Sequence, residues 1–268
     1  MKKFLCLAVF AAFAISACAT APMTGRRQLS LIPASEINAM SATAFSDVKR
    51  SSRIVTTGAN AEMIRTVGRN IAAAAEQYLR DHGRAAEIAN YSWEFILIDD
   101  ATVNAWAMPG GRIAFYTGIL PLTQNVNGVA VVMAHEVAHV IAGHSAERMS
   151  QAMLANMGGS ILGQATRNQS QMVQTLSQTG YGIAANLGIL LPFSRRQEYE
   201  ADKIGLMLMA MAGYDPAHAV TFWQRMSALS AGGSTSDFMS THPSDANRIA
   251  AIQRNLPAAQ EVYRNRRR

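Results

Sequence analysis

One run of five residues constrains this chain more than any other: His135-Glu136-Val137-Ala138-His139. Val129, Val131, Val132 and Met133 precede it, and Val140 and Ile141 follow it. A stretch this apolar reads as a buried helix, predicted over 128–149. Residues four apart on a helix share a face, offset by only about 40° in projection. Two imidazoles placed that way can grip one metal ion. Glu136 then projects beside the metal, where it can hold a water molecule.

A zinc ion poised for chemistry takes three protein ligands and keeps one open position. The sequence must therefore supply a third ligand. Some zinc proteins place a histidine ten residues after the first, but position 145 is Ser and position 142 is Ala. His144 comes one residue early and, on a continuing helix, points away from His135; it reads as a supporting or surface histidine. The later segment Arg195-Arg196-Gln197-Glu198-Tyr199-Glu200-Ala201-Asp202 offers carboxylates instead. Glu198 and Asp202 are four apart and share a face. With Glu198 on the metal, Asp202 can accept a hydrogen bond from the free nitrogen of a liganding histidine. Glu200 projects away from Asp202 and is expected in solvent. On spacing alone, all three acids can equally form a charged helix surface.

The chain starts with Lys2 and Lys3, an apolar run from Phe4 to Ala14, then small residues up to Cys18. That is the anatomy of a secretory signal over 1–17, and the run is shorter than the roughly 20 apolar residues that cross a bilayer as a helix. Ile15-Ser16-Ala17-Cys18 resembles the lipobox of bacterial lipoproteins, in which the cysteine is acylated and anchors the chain. Ala19 after it hints at the outer membrane, facing the periplasm. Cys6 and Cys18 are the only cysteines. With Cys6 removed and Cys18 blocked, disulfide scaffolds and cysteine metal sites are excluded. Losing Lys2 and Lys3 lowers the net charge from +6 to +4. The excess lies partly at Arg264, Arg266, Arg267 and Arg268, read as a solvated tail. No interleaving of basic and aromatic residues points to nucleic acid.

The rest of the chain divides by period. Residues 18–34, with Pro22, Gly25 and Pro33, read as an extended tether, and 35–268 as one domain. Helices are predicted over 36–50, capped by Ser35, and over 60–81. Tyr91, Trp93, Phe95 and Leu97 alternate with polar or outward positions as in a strand. Asp99 to Gly111 reads as a turn region, followed by a strand over 112–116 that can pair with the first. One helix, or a pair broken near Gly158 and Gly159, is then predicted over 150–179. Another starts at Ser194 and Gln197, which make a capping box, and ends at Gly213. One more starts at Asp215-Pro216, and a last region follows a Gly-Gly-Ser loop at 232–234. The apolar stretch Tyr181 to Phe193 is too short to span a membrane. The fold class is α+β, mainly helical, with a small sheet beside the metal-binding helix.

Four features together resemble the gluzincin metallopeptidases of the CAAX prenyl protease, HtpX and BepA type, most of all the compact LoiP-like lipoprotein branch. They are His135–His139, Glu198-x-x-x-Asp202, Asn104-Ala105-Trp106-Ala107-Met108-Pro109-Gly110-Gly111, and Ser240-Thr241-His242-Pro243 with Arg248. The likeness covers roughly 35–255. Trp106 stands where the family usually has phenylalanine. The resemblance implies a zincin-like fold and one zinc ion per chain, held by His135, His139 and Glu198. It also implies an endopeptidase that clears misfolded envelope proteins. Glu136 would be its general base. His242 would stabilise the oxyanion, with Arg248 and Tyr199 weaker candidates, or would bind the metal and hold the enzyme off, as in BepA-like relatives. Asn104, Gly110, Gly111 and the strand 112–116 would hold an extended substrate along a sheet edge. A chaperone-like lipoprotein and a zinc hydrolase of peptidoglycan are the rival readings. An intact Glu136 argues against the first, and a sheet edge suited to polypeptide argues against the second.

Overall fold

In a computed structural model, residues 18–167, 171, 194–231, 236–243 and 246–266 are described. An antiparallel hairpin, β1 (Cys18–Thr20) and β2 (Arg27–Leu29), comes first. Helices α1 (Ala34–Ser51) and α2 (Ala59–Asp81) follow. A three-stranded sheet is built from β3 (Glu94–Ile98), β4 (Ala105–Met108) and β5 (Arg112–Tyr116). The remaining described elements are helices: α3 (Val126–Ile141), α4 (His144–Thr166), α5 (Arg195–Ala212), α6 (His218–Ala231), α7 (Asp237–Thr241) and α8 (Ala246–Arg266). The mainly helical α+β class is as the sequence predicts.

The hydrophobic pattern explains the layers. Helix α3 is apolar all round, and a helix of that kind must be covered on every side. Helices α2, α5 and α6 and strand β4 pack around it. Val129, Val132, Met133 and Val137 are fully buried, each stabilising the fold by roughly 1.5–3 kcal/mol relative to exposure. Asn125 caps the helix, accepting from the N–H groups of Asn127 and Gly128 at 3.0 and 3.1 Å. Ile64, Val67 and Ile71 of α2 are buried with Phe95 and Leu97 of β3 and with Ile113 and Phe115 of β5. Helix α5 lies along α3 so closely that a Cβ on Gly205 would stand 3.2 Å from the backbone nitrogen of His135. That approach brings the acids of α5 to the histidines of α3.

Several expectations change. Ser35 does not cap α1: it lies inside the helix, which starts after Pro33 with no side-chain cap. The strand order is β3-β5-β4, with β5 parallel to β3 and antiparallel to β4. Strand 112–116 is therefore central and cannot be a free edge. The outer strands are β3 and β4, and the one that packs on the metal-binding helix is β4, which the turn residues around it concealed. The helix predicted over 128–149 breaks at Gly143, whose left-handed backbone (φ 70°) suits a residue without a Cβ. Helix α4 starts afresh at His144 and runs through Gly158 and Gly159 unbroken. Asp215 accepts from the Ala217 N–H at 2.9 Å in a turn before α6 begins. The capping box at Ser194 and Gln197 and the left-handed stop at Gly213 are as predicted. The basic residues Arg264 and Arg266 belong to the last turn of α8, where they complement the helix dipole. The stretches 172–193 and 232–234 lie outside the described residues. Among the described residues no single helix is long and apolar enough to cross a membrane.

The supposed tether differs most. Residues 18–29 form the hairpin, Ala21 is buried, and Arg26 reaches into the helical body. A chain rich in Pro and Gly is not thereby extended: here Met23 and Gly25 take positive φ values and close the turn.

Candidate metal centre

Helix α3 presents His135 and His139 on one face, with Nε2 of each 3.0 Å apart. Helix α5 adds Glu198, whose Oε1 is 3.3 Å from His139 Nε2 and whose Oε2 is 3.4 Å from His135 Nε2. His242, which ends α7, adds its Nδ1 at 3.1 Å from Glu198 Oε1 and 3.2 Å from His135 Nε2. These four residues are buried, and one ligand atom from each lies within 4.8 Å of all the others. Three imidazole nitrogens and a carboxylate oxygen converging on one point are a donor set that suits zinc. Their geometry is poor for satisfying one another, because facing ring nitrogens need a shared proton. A divalent cation satisfies all four.

Glu136 is 1% exposed, and its Oε1 has no hydrogen-bond partner, standing 3.5 Å from His242 Nε2. A buried carboxylate oxygen left without a partner is costly unless a ligand meets it. Burial pushes the Glu136 carboxyl above its ordinary range, against the pull of the neighbouring imidazoles of His242 and His135. The backbone of Ala107, on β4, also bonds to it.

Behind His135, its Nδ1 meets Asp202 Oδ1 at 3.0 Å. Arg248 holds that carboxylate, donating from Nε to Oδ2 at 2.6 Å and from Nη2 to Oδ1 at 2.9 Å. Its Nη1 lies 2.7 Å from Glu198 Oε2 as an ion pair and donates to the carbonyls of His242 and Pro243. The guanidinium, 1% exposed, stacks over Trp223 at 3.6 Å. Burial would raise Glu198 and Asp202, but the Arg248 charge outweighs it, so Glu198 lies well below the usual carboxylate range and Asp202 below its own. Burial pulls the His135 imidazolium down, yet the charge of Glu198 and the hydrogen bond to Asp202 hold it up at about 9. His139, with burial and the His135 charge against it, lies well below the ordinary value.

The structure thus brings together His135, Glu136, His139, Glu198, Asp202, His242 and Arg248. Tyr199 is half-buried and stands outside the four-donor group. Asn104 precedes β4 and has a buried Oδ1 with no hydrogen-bond partner. Gly110 and Gly111, both at positive φ, make the β4–β5 turn at the far end of that strand. Cys18 opens β1.

Glu200 corrects the expectation of a solvated acid: it is 7% exposed and pairs with Arg26 and His144. Burial would raise its carboxyl, but His144, Thr24 and Arg26 hold it down at about 2. His144 is fully buried, with its Nδ1 2.8 Å from Nδ1 of His139. The break at Gly143 turns it back towards the site, and an Ala-Gly-His junction after the metal-binding run was the signal that could have shown this.

A helix carrying His-Glu-x-x-His, a glutamate from a later helix and a small sheet with an antiparallel edge strand define a zincin-like metallopeptidase domain. The sequence profile of peptidase family M48 matches residues 67–256, and the chain belongs to that family. It is 40% identical over 174 residues to mitochondrial metalloendopeptidase OMA1 of Schizosaccharomyces pombe, covering 65% of this chain and 49% of that protein. It is 32% identical over 156 residues to metalloprotease LoiP of Escherichia coli, covering 58% and 60%. It is 30% identical over 168 residues to the beta-barrel assembly-enhancing protease of the same organism, covering 59% and 33%. Identity to OMA1 exceeds that to LoiP. The chain spans about half the length of the first of these relatives. Zinc is the metal of this family, and the four-donor cluster fits it.

Proposed function

We propose that this protein is a zinc-dependent endopeptidase acting on extended, unfolded polypeptide, with zinc held by His135, His139 and Glu198. The observation that carries the reading is Glu136, a buried carboxylate with one oxygen left without a hydrogen-bond partner, set between the donor cluster and the free edge of β4. Zinc, when bound, polarises the scissile carbonyl and makes water acidic. Glu136, with its raised affinity for a proton, accepts that water's proton and passes it to the leaving amine. His242 reaches both Glu136 and Glu198 and so borders the reacting atoms. It offers an N–H to the developing oxyanion, and at rest it is the fourth donor of the cluster.

Substrate lies along β4. Tyr116 donates to the Asn104 carbonyl at 3.1 Å, so in an antiparallel ladder Asn104 and Trp106 face β5. Ala105 then turns both its backbone groups to the open side and Ala107 its carbonyl, the Ala107 N–H being bonded to Glu136. An added peptide strand pairs there through its main chain, with the free Oδ1 of Asn104 accepting at one end. Such pairing reads backbone and not side chains, which suits a protease of misfolded proteins. The N-terminal pattern and Cys18 support a lipid anchor on the periplasmic face of a bacterial outer membrane, and two relatives come from Escherichia coli.

Wild type and Glu136→Gln are compared on unfolded casein and on purified peptidoglycan, with bound zinc measured in both. Casein cleavage that falls at least about a thousandfold in the variant, with zinc retained, is the expected result. Unchanged casein cleavage sinks the mechanism. Cleavage of peptidoglycan alone favours the rival hydrolase, and no cleavage by zinc-loaded wild type favours a chaperone-like role.

A further inference from the structure

We propose that Arg26 is a positioning residue for the metal ligand His139, acting through Glu200 and His144, so that the N-terminal hairpin is a working part of the zinc site. The inference rests on the reading of His139 as a ligand. Arg26 lies outside the residues that match the family profile.

The chain of contacts has one direction. His139 turns Nε2 to the donor cluster and Nδ1 to His144 Nδ1, 2.8 Å away. Two ring nitrogens at that distance share one hydrogen. When His139 gives its Nε2 lone pair to a metal, its hydrogen sits on Nδ1 and is donated to His144. His144 then carries its own hydrogen on Nε2, which meets Glu200 Oε2 at 3.0 Å. These tautomers are assigned from the network, and each follows from the one before.

Glu200 is fixed in turn from the hairpin. Arg26 donates from Nε to Oε2 at 2.5 Å, and the Thr24 hydroxyl donates to Oε1. The other face of the guanidinium grips Glu147 of α4 with two bonds of 2.8 Å. Glu147 also accepts from Gln197 Nε2 of α5 at 2.7 Å. Arg26 therefore joins α4 to α5 where both meet the end of α3. Gln28 adds a bond to the carbonyl of Ala142 at 2.6 Å, at the break that sets the direction of His144. A planar fork with two carboxylates is the arrangement that arginine holds and lysine does not.

The same logic recurs on the other ligand. His135 leads through Asp202 to Arg248, and His139 leads through His144 and Glu200 to Arg26. Each histidine is oriented by a carboxylate that an arginine holds. Removing a partner of that kind characteristically weakens metal binding about 10–100-fold.

The test measures zinc affinity by chelator competition, and melting temperature with and without zinc, on the purified full chain. The variants are Arg26→Met, Arg26→Lys, Glu200→Gln, the double Arg26→Met/Glu200→Gln, and Arg69→Met, which breaks an exposed ion pair to Glu62 elsewhere. Arg26→Met and Glu200→Gln are each expected to weaken zinc binding about 10–100-fold, with Arg26→Lys between them and wild type. The double variant is expected to lose little beyond Glu200→Gln, because both act along one path. Arg69→Met is expected to bind as wild type does. Zinc affinity unmoved in Arg26→Met, with a lower melting temperature, overturns the inference and leaves a hairpin pinned for stability alone. Should Arg26→Met not fold, wild-type affinity in Arg26→Lys overturns it equally. Wild type that takes up no zinc overturns the site reading as well, whereas zinc-binding wild type with an unmoved Arg26→Met overturns this inference alone.

Discussion

Zinc uptake by this site should depend steeply on pH, and the size of the effect follows from His135. In the metal-free chain the charge of Glu198 and the bond to Asp202 outweigh burial and hold its imidazolium up at about 9. A ligand must give up its proton to bind metal. At pH 7 a group with that affinity is about 99% protonated, so its proton costs about two powers of ten in apparent zinc affinity, or about 3 kcal/mol. An ordinary histidine would cost less than about twofold at the same pH. Glu198 contributes no proton in this range, because Arg248 and the imidazoles keep it well below the usual carboxylate range. Apparent affinity should therefore rise about tenfold per pH unit from 6.5 to 9 and level off above, with close to one proton released per zinc at pH 7. The metal-free fold behaves in the opposite sense. A pKa raised by folding gives stability that is fully present below about 6.5 and is lost as pH rises through about 9. Its melting temperature should fall across that window while the gain from added zinc grows. Chelator competition, corrected for the chelator's own protonation, measures the first slope, and a pH-indicator dye counts the proton. An affinity that is flat from pH 7 to 9, with no proton released, refutes the reasoning, because the proton the cluster is built to hold would not be there.

Two further outcomes follow from the structure. Arg248→Met leaves Asp202 and Glu198 buried without their cation, which should destabilise the metal-free chain by about 3–5 kcal/mol in urea unfolding; a loss under about 1 kcal/mol would contradict the buried pairing. Cys18→Ala should move the expressed protein from the membrane pellet to the soluble fraction, since acyl chains supply the binding; an unchanged pellet would remove the lipid-anchor reading.

The metal-binding run was legible because it combines two local signals, a helical period and a ligand pair within one turn. Glu198 and Asp202 were legible as a pair for the same reason. What was not legible depends on which neighbours cover a face. Glu200 points away from Asp202 on α5, and on a surface helix that direction means solvent. Here the hairpin covers it, and a charged residue becomes a buried link. Residues 18–29 in turn read as a tether because Pro and Gly mark turns without saying whether the turn is docked. Strand β4 has only four residues between an Asp-rich turn and Pro109-Gly110-Gly111, too few for an alternating pattern to stand out. The break at Gly143 was hidden because helix continues within a residue or two on both sides of it. A single left-handed residue there redirected His144 from the outside of one helix to the back of a metal ligand.

Charge explains why fold and metal belong together here. Five carboxylates, Glu136, Glu147, Glu198, Glu200 and Asp202, are buried within this one region; Arg26 pairs with Glu147 and Glu200, Arg248 pairs with Glu198 and Asp202, and the charge of Arg148 also acts on Glu198. Buried charge is tolerated only when it is matched. Arg26 sits at the outer end of its support chain, behind the histidines, whereas Arg248 reaches past Asp202 to Glu198. The negative charge of the centre therefore falls most on Glu136, which meets an imidazole and no guanidinium in the described ion pairs, beside the four donor atoms. A divalent cation at that point brings the balance close to neutral, which a proton on His135 does only in part. Zinc should therefore stabilise the fold as well as equip it for chemistry, and Glu136 should be left as the one carboxylate of the centre still able to take up and release a proton.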